Sequence, residues 1–315
     1  MDSKRSKVIG DSVELCYYVM EHAKHVHICK RKVDEFAKEI ELSDHTFWLS
    51  SNPYQLFSLP ISDIIHFLLL FESIDYSFWG NPKWTVITDE GPKDGSDALL
   101  YVLLKYVKQH SISELYQISF SDFKTLLQGN VEIPFLKERY DTIHEISSIV
   151  KKKMNGDFYQ CIKNMTLDTE LLDYIVKNFP SFCDVRTYLG KTIPFYKLAQ
   201  LLTSDILQLR YLLEHISIDY SHLIGCADYK IPQIQRALGL VQYDETLAGL
   251  VDSKQELEEN SNYEIEIRAS MIVVIDMIQK KKPNVCAMDI NDYFFLSSKK
   301  LKNMKPYHLC RNRNY

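Results

Sequence analysis

The chain has 315 residues, of which 46% are apolar and 25% are charged, with 37 Lys and Arg against 42 Asp and Glu. This composition is that of an ordinary globular protein and excludes a disordered or fibrous chain. The net charge of −5 argues against an extended nucleic acid as partner, because proteins that hold duplexes through phosphate contacts usually carry a basic excess.

Neither the apolar runs nor the cysteines indicate export or membrane insertion. The longest apolar run, from Ile61 to Phe71, is interrupted by Asp63 and His66 and has about half the length that spans a bilayer. No apolar signal region precedes the first helical pattern, and the seven cysteines are scattered without a Cys-x-x-Cys pair, as in reducing compartments. We therefore expect a cytoplasmic protein with no membrane partner.

Helical periodicity dominates the sequence. The predicted helices cover residues 11–22, 33–41, 60–70, 96–108, 134–154, 194–215 and 262–281, with shorter ones after Ser119, before Pro180 and at 233–238. The segment from Lys83 to Thr88 is rich in β-branched and aromatic residues and predicts one small strand element near 83–90. With no repeat or linker, the sequence predicts a mainly helical, all-α fold in a single domain over residues 1–315.

Four potential metal ligands, His22, His25, His27 and Cys29, lie close together near the start. Imidazole and thiolate groups are ligands that zinc prefers. No second pair of ligands follows at a zinc-like spacing, however. We therefore favour an extended connector with exposed histidines over a metal site.

Ionisable residues in apolar surroundings mark residues 178–240 as the first place to look for chemistry, since burying such groups is costly. Lys197 and Asp205 are eight residues apart on one predicted helix, about two turns, so they project from nearly the same face. Asp228 precedes a short helix that begins near Pro232. From the residues alone, helix capping or salt bridging explains both aspartates better than catalysis does.

Other sequence signatures of catalysis are missing. There is no glycine-rich phosphate loop, no Gly-x-Ser-x-Gly elbow and no His-Glu-x-x-His. Arg268 fits either an ion pair on a helix surface or an anion clamp, and the sequence favours the surface pair. The apolar stripe at Ile265, Ile272 and Ile275 is interpreted as core rather than as a dimer seam, so we expect a monomer.

Several short motifs, in order from about residue 45 to residue 315, carry a family resemblance. They are Phe78-Trp79, Lys83-Trp84-Thr85-Val86, Pro134 with Leu136 and Glu138-Arg139, Asn178-Phe179-Pro180-Ser181-Phe182, Phe195-Tyr196-Lys197 with Ala199-Gln200, Asp205, Ala227-Asp228-Tyr229-Lys230 with Pro232-Gln233, Glu264 with Glu266-Ile267-Arg268, and Asp292-Tyr293. In these motifs the chain resembles the queuosine salvage protein family, the queuosine 5′-phosphate N-glycosylases.

The resemblance implies a helical fold similar to helix-hairpin-helix DNA glycosylases, with a small appended sheet. It also implies hydrolysis of the N-glycosidic bond of queuosine 5′-monophosphate, which releases queuine for reuse in tRNA modification. Asp228 and Asp205 would be the catalytic carboxylates, because this bond breaks with positive charge developing on the sugar. A small-molecule substrate is the implied partner, and no cofactor or metal is implied.

The resemblance further implies a set of substrate-binding residues: His45, Trp48, Lys197, Tyr229, Lys230 and Arg268. The first two would form a wall for the base, through stacking and edge hydrogen bonds. The two lysines and Tyr229 would hold the 5′-phosphate through charged hydrogen bonds, and Arg268 would orient an aspartate or the phosphate.

Parts of the implied pocket wall differ from the family pattern. Asp97, Leu207, Cys226 and Leu296 stand where the family commonly has aromatic residues. The reaction type is therefore expected to be kept, while the base specificity stays open. Two alternatives compete with the glycosidase: a noncatalytic helical module that binds a nucleotide or a protein partner, and a DNA glycosylase, which the acidic balance disfavours.

Overall fold

The computed structural model describes residues 8–42 and 47–315 of the chain. Helices make up most of these residues, as the sequence predicts, so the mainly all-α fold class is confirmed. The α-helices are α1 (Ser12–His22), α2 (Lys30–Glu39), α3 (Ile61–Ser73), α4 (Gly95–Gln109), α5 (Ile112–Tyr116), α6 (Phe120–Leu126), α7 (Leu136–Lys153), α8 (Phe158–Ile162), α9 (Asp168–Asn178), α10 (Lys197–Glu214), α11 (Lys230–Ala237), α12 (Glu245–Asp252), α13 (Asn262–Lys281) and α14 (Ala287–Lys300). Short 3-10 turns cover Trp48–Ser51, Pro53–Ser58 and Pro180–Phe182.

Short strands pair in twos between the helices. The antiparallel pairs are β1 (Val26–Ile28) with β6 (Val241–Tyr243), β2 (Thr85–Thr88) with β3 (Gly91–Asp94), and β4 (Val185–Tyr188) with β5 (Lys191–Pro194); β7 (Glu256–Leu257) pairs in parallel with β8 (Leu309–Cys310). The strand element predicted near 83–90 corresponds to β2. The remaining strands were not predicted. Strands of two to four residues are too short to show an alternating pattern.

Two long helices form the centres of two apolar clusters. Along α13 every side chain from Glu264 to Ile275 is buried, as expected for a helix that is largely apolar on all sides. The isoleucine stripe on α13 is therefore core, as predicted. α10 is buried from Lys197 to Arg210 except at Leu201 and packs against α3 and α9, whereas α13 packs against α1, α2, α11 and α14.

The loop before α11 lies at the boundary between these clusters. Cys226 packs in the cluster that contains α10, and the next residue, Ala227, packs in the cluster that contains α13. Asp228, which follows, is therefore held where the two clusters meet. Among the helices in the described ranges, none is long and apolar enough to cross a membrane.

Candidate active site

The loop that carries Asp228 is fixed by hydrogen bonds from three helices. Gln200 of α10 accepts from the Ile224 N–H at 2.8 Å and donates to the Gly225 carbonyl at 3.0 Å. Asn291 of α14 accepts from the Cys226 N–H at 2.8 Å. Arg268 of α13 donates to the Ala227 carbonyl at 3.0 Å, so successive residues of the loop are held from different sides.

Asp228 caps the helix that follows it. Its Oδ1 accepts from the backbone N–H groups of Lys230 and Ile231, both at 2.9 Å. The capping interpretation from the sequence therefore holds for this oxygen. Burial raises the pKa of Asp228, against the opposing effect of these N–H donors and of Lys197. Within the described residues, Oδ2 accepts no hydrogen bond, so one edge of a firmly oriented carboxyl is left for a ligand.

Asp205 lies in the middle of α10 with 1% of its surface exposed. Its Oδ1 accepts a 2.8 Å hydrogen bond from the indole N–H of Trp48. Burial raises the pKa of Asp205 to about 7. The residue is therefore poised to change its charge near neutral pH, as acid–base groups of enzymes do.

Two further acids, Glu72 and Asp75, face Asp205 from the end of α3 and the turn after it. The Lys197 ammonium lies 3.6 Å from Asp75 Oδ2 and donates to the Asp75 carbonyl at 3.2 Å. Burial, the largest single effect, would lower the pKa of Lys197, but the nearby acidic groups, Asp75 first among them, together outweigh it and raise this pKa. Lys197 thus serves as the counter-ion of a buried acidic cluster.

Asp292 adds a fourth acid from α14. Burial raises its pKa to about 7, and the charge of Asp205 acts in the same direction. Its Oδ1 accepts from the side chain of its neighbour Asn291 at 3.1 Å, the same residue that holds the Cys226 N–H. Sequence reasoning did not single out Glu72, Asp75 or Asp292 as site residues. The available signal for Glu72 was its position directly after the apolar run of α3.

Arg268 lies behind the Asp228 loop with none of its surface exposed. Nη1 and Nη2 bond the two carboxylate oxygens of Asp184 at 3.0 and 2.5 Å, while Nε holds the Ala227 carbonyl. The interpretation of Arg268 as a surface ion pair is therefore wrong, because α13 is buried on all sides here. Asp184 in turn accepts the Lys197 backbone N–H at 3.2 Å and so orients the start of α10.

Tyr229 and Lys230 lie beside Asp228 with partly exposed side chains. The rings of Tyr229 and Tyr307 are 4.7 Å apart, and the Lys230 ammonium lies 4.7 Å from the centre of the Tyr307 ring. Burial lowers the pKa of Lys230, and repulsion from Lys83 and Lys299 lowers it further. Asp228 and Asp94 oppose this repulsion, so Lys230 lies between like and opposite charges beside the aspartate.

The sequence profile of the queuosine salvage protein family matches residues 58–315, which is most of the chain. The chain belongs to this family.

Curated relatives of the family agree with this match over much of their length. The queuosine 5′-phosphate N-glycosylase/hydrolase of Sphaerobacter thermophilus is 30% identical over 223 residues, 69% of each chain. The protein of the same description from Mus musculus is 28% identical over 68% of this chain and 67% of its own. That of Nematostella vectensis is 25% identical over 86% of this chain and 85% of its own.

The residues that the family resemblance singled out are partly brought together. Asp205, Asp228, Lys197 and Trp48 belong to one connected cluster, and Tyr229 and Lys230 adjoin it through Asp228. Arg268 supports this cluster from behind. His45, expected in the wall for the base, lies outside the described residues.

Potential metal ligands come together elsewhere in this family member. Within 8–42 and 47–315, the acidic and imidazole groups close enough to share an ion are those of Asp168, Asp219 and His222, whose ligand atoms lie within 4.8 Å of one another. Asp168 already accepts from the His222 backbone at 2.7 Å and contacts its Nδ1 at 3.0 Å. In the cluster near the start, His25 is partly buried and its Nδ1 bonds Asp244 at 2.8 Å, and Val26–Ile28 forms strand β1 rather than an unpaired connector.

Proposed function

We propose that this chain hydrolyses the N-glycosidic bond of queuosine 5′-monophosphate and releases queuine for salvage into tRNA modification. One observation carries the proposal most directly: in a member of the queuosine salvage protein family, a buried cluster of acids surrounds Asp205, and Lys197 of this cluster also acts on Asp228. The curated relatives that match over two thirds or more of this chain are described as hydrolases of queuosine 5′-phosphate.

The oriented carboxylate of Asp228 faces the sugar in this proposal. As the bond from C1′ to the base breaks, positive charge develops on the sugar, and the carboxylate stabilises it. The base leaves with the bonding electron pair and takes up a proton at the ring nitrogen that it freed, while a water oxygen forms the new bond to C1′ and gives its proton to a carboxylate. A 7-deazaguanine lacks the ring nitrogen at which purine leaving groups can be protonated, so stabilisation at the sugar matters more.

Asp205 is the second catalytic carboxylate in this proposal, and Trp48 has two roles. The indole N–H orients Asp205, and the partly exposed ring lines the base. The family resemblance assigns His45 to the same role. Lys197 neutralises the acidic cluster through Asp75. Arg268 positions Asp228 indirectly, through its hydrogen bond to the carbonyl of Ala227, the residue before it.

The 5′-phosphate is placed against Tyr229 and Lys230. The repulsion that Lys230 receives from Lys83 and Lys299 would be relieved by a phosphate dianion. Hydrolysis in this scheme uses only a small-molecule substrate and water. We propose that the protein works as a cytoplasmic monomer, without a cofactor or an extended nucleic acid.

The direct test is incubation of the purified chain with queuosine 5′-monophosphate, followed by chromatography of the free base. We expect queuine to accumulate over many turnovers. Retention of the intact nucleotide by the protein, with no base after long incubation, would instead identify a noncatalytic binding module.

A further inference from the structure

Two buried carboxyls from different helices meet in the acidic cluster. Glu72 lies in the last turn of α3 and Asp205 in the middle of α10, and these helices pack against each other. Each residue has 1% of its surface exposed. Within the described residues, Glu72 Oε2 and Asp205 Oδ2 are buried without a donor when both groups are ionised. Such orphaned oxygens are costly, so a proton is needed between them.

The charges that face this pair come from every element around it. Asp75 follows α3, Lys197 lies on α10, Asp292 projects from α14, and Trp48 donates from its 3-10 turn. The thiol of Cys226, whose pKa burial raises well above the ordinary value, stays neutral nearby. The ammonium of Lys197 compensates for one carboxylate, and its contact is with Asp75. Among the residues that the structure describes, Glu72 and Asp205 therefore have no cation in direct contact.

We propose that Glu72 is a positioning residue for the glycosidase reaction, which keeps its proton and donates it in a hydrogen bond to Asp205. Asp205 then has a donor on each side, Trp48 at one oxygen and Glu72 at the other. The inference rests on the proposed function, since that proposal makes Asp205 a catalytic residue. The hydrogen bond between Glu72 and Asp205 can nevertheless be measured without turnover. The inference assigns a role to an acid that lies in the buried last turn of α3.

Electrostatics agree with this geometry. Burial, together with the charge of Asp205, raises the pKa of Glu72 well above its ordinary value. The hydrogen bond from Glu72 lowers the pKa of Asp205 and so opposes the effect of burial on that group. Glu72 therefore retains its proton while Asp205 loses one near neutral pH.

The indole N–H of Trp48 provides a reporter of Asp205. The chain has three tryptophans, so ¹⁵N-labelled indole groups give few NMR signals, and a Trp48→Phe variant assigns the one of interest. We expect its shift to titrate with Asp205 in the wild-type chain. Glu72→Gln keeps a neutral donor and should leave the midpoint nearly unchanged. Glu72→Met removes the donor and should raise the midpoint by about one to two pH units.

The two variants separate the proposal from its alternatives. If Glu72 were ionised, Glu72→Gln would remove a negative charge, and the Asp205 midpoint would fall. An unchanged midpoint in Glu72→Met would mean that Glu72 only fills space. Either result overturns the inference. Glu132→Gln, at an exposed residue paired with Lys124, is the control and should leave the midpoint in place.

Turnover gives the second measurement. The acid limb of the kcat profile against pH should move upward in Glu72→Met and stay in place in Glu72→Gln. A wild-type chain that releases no base, yet shows the expected Trp48 titrations, would contradict the proposed function while leaving the proton arrangement intact. A kcat profile that is unmoved in Glu72→Met would overturn the positioning role.

Discussion

Arg268 and Asp184 form a fully buried, two-pronged ion pair, with Nη1–Oδ1 at 3.0 Å and Nη2–Oδ2 at 2.5 Å. Burial opposes ionisation of Asp184, yet the arginine charge and hydrogen bonds hold its pKa below the ordinary value. The same guanidinium bonds the Ala227 carbonyl, one residue before Asp228. The pair thus connects α13 to both the start of α10 and the candidate catalytic loop.

Substitution of Arg268 by lysine should therefore damage stability and activity together. Lysine keeps the charge but loses the planar fork, so we expect the free energy of unfolding to fall by about 2–4 kcal/mol. Urea denaturation measures this change. Arg236→Lys, at a less buried two-pronged pair with Asp252, is the matched control and should cost about 1 kcal/mol or less. Equal losses of unfolding free energy in both variants would contradict the inference that the buried Arg268 contributes more to stability than Arg236 does.

Replacement of Asp228 by asparagine should abolish most of the base release without unfolding the protein. Asparagine still offers Oδ1 to the N–H groups of α11, but it cannot carry negative charge. We expect kcat to fall by about 10²- to 10⁴-fold, with nucleotide binding kept. Asp244→Asn changes another helix cap, that of α12, and should leave kcat alone. Full activity in Asp228→Asn would remove this residue from the mechanism.

Gly225 should tolerate no side chain. Its φ of +105° disfavours other residues, and an added Cβ would lie 2.9 Å from Cδ1 of Ile275. We expect Gly225→Ala to lower the free energy of unfolding by about 1–3 kcal/mol and to lower kcat through the displaced loop. Gly249→Ala, inside α12 with open space around it, is the control and should be neutral or slightly stabilising.

Removal of the Lys230 charge should affect the nucleotide and spare the nucleoside. In Lys230→Met we expect KM for queuosine 5′-monophosphate to rise by about 10-fold or more, because a charged hydrogen bond to the phosphate is lost. KM for queuosine itself should change little. Lys305→Met, at an exposed residue paired with Asp252, controls for general charge effects. Equal changes for both substrates would place the phosphate elsewhere.

Stability should depend on pH through Asp205. Its pKa is raised from 3.8 to about 7 in the folded protein, so the folded state holds more protons than the unfolded state between these values. The Asp205 contribution to stability is therefore complete below pH 4 and lost as pH rises to about 7. Asp292 contributes with the same sign. Buried His308, with its pKa lowered to about 3, contributes with the opposite sign.

The difference between wild type and Asp205→Asn isolates this effect from the other groups. Urea denaturation at several pH values from 4 to 8 should show the wild type losing stability relative to the variant as pH rises. The difference in unfolding free energy between the two proteins should stop changing near pH 7. A constant difference across this range would mean that Asp205 is ionised throughout.

Long periodic segments were predictable from the sequence, whereas contacts between distant segments were not. α13 spans the predicted residues 262–281, because its isoleucine-rich helical pattern continues over the whole segment. Lys197 and Asp205 were correctly placed on one helix. The meeting of Glu72 with Asp205, however, depends on how α3 packs against α10. Similarly, Arg268 is buried together with its ion-pair partner Asp184. Helical periodicity could not reveal this partner, because it lies far from Arg268 in the sequence.

The acids of the candidate site come from residues 72, 75, 205, 228 and 292, which are scattered over most of the chain. Helices can form from local contacts well before such distant segments meet. A partly refolded chain would therefore regain most of its circular dichroism while its carboxyls are still apart and solvated. Recovery of catalytic turnover would come last, so enzyme assays would be a stricter indicator of correct refolding than any spectrum of the backbone.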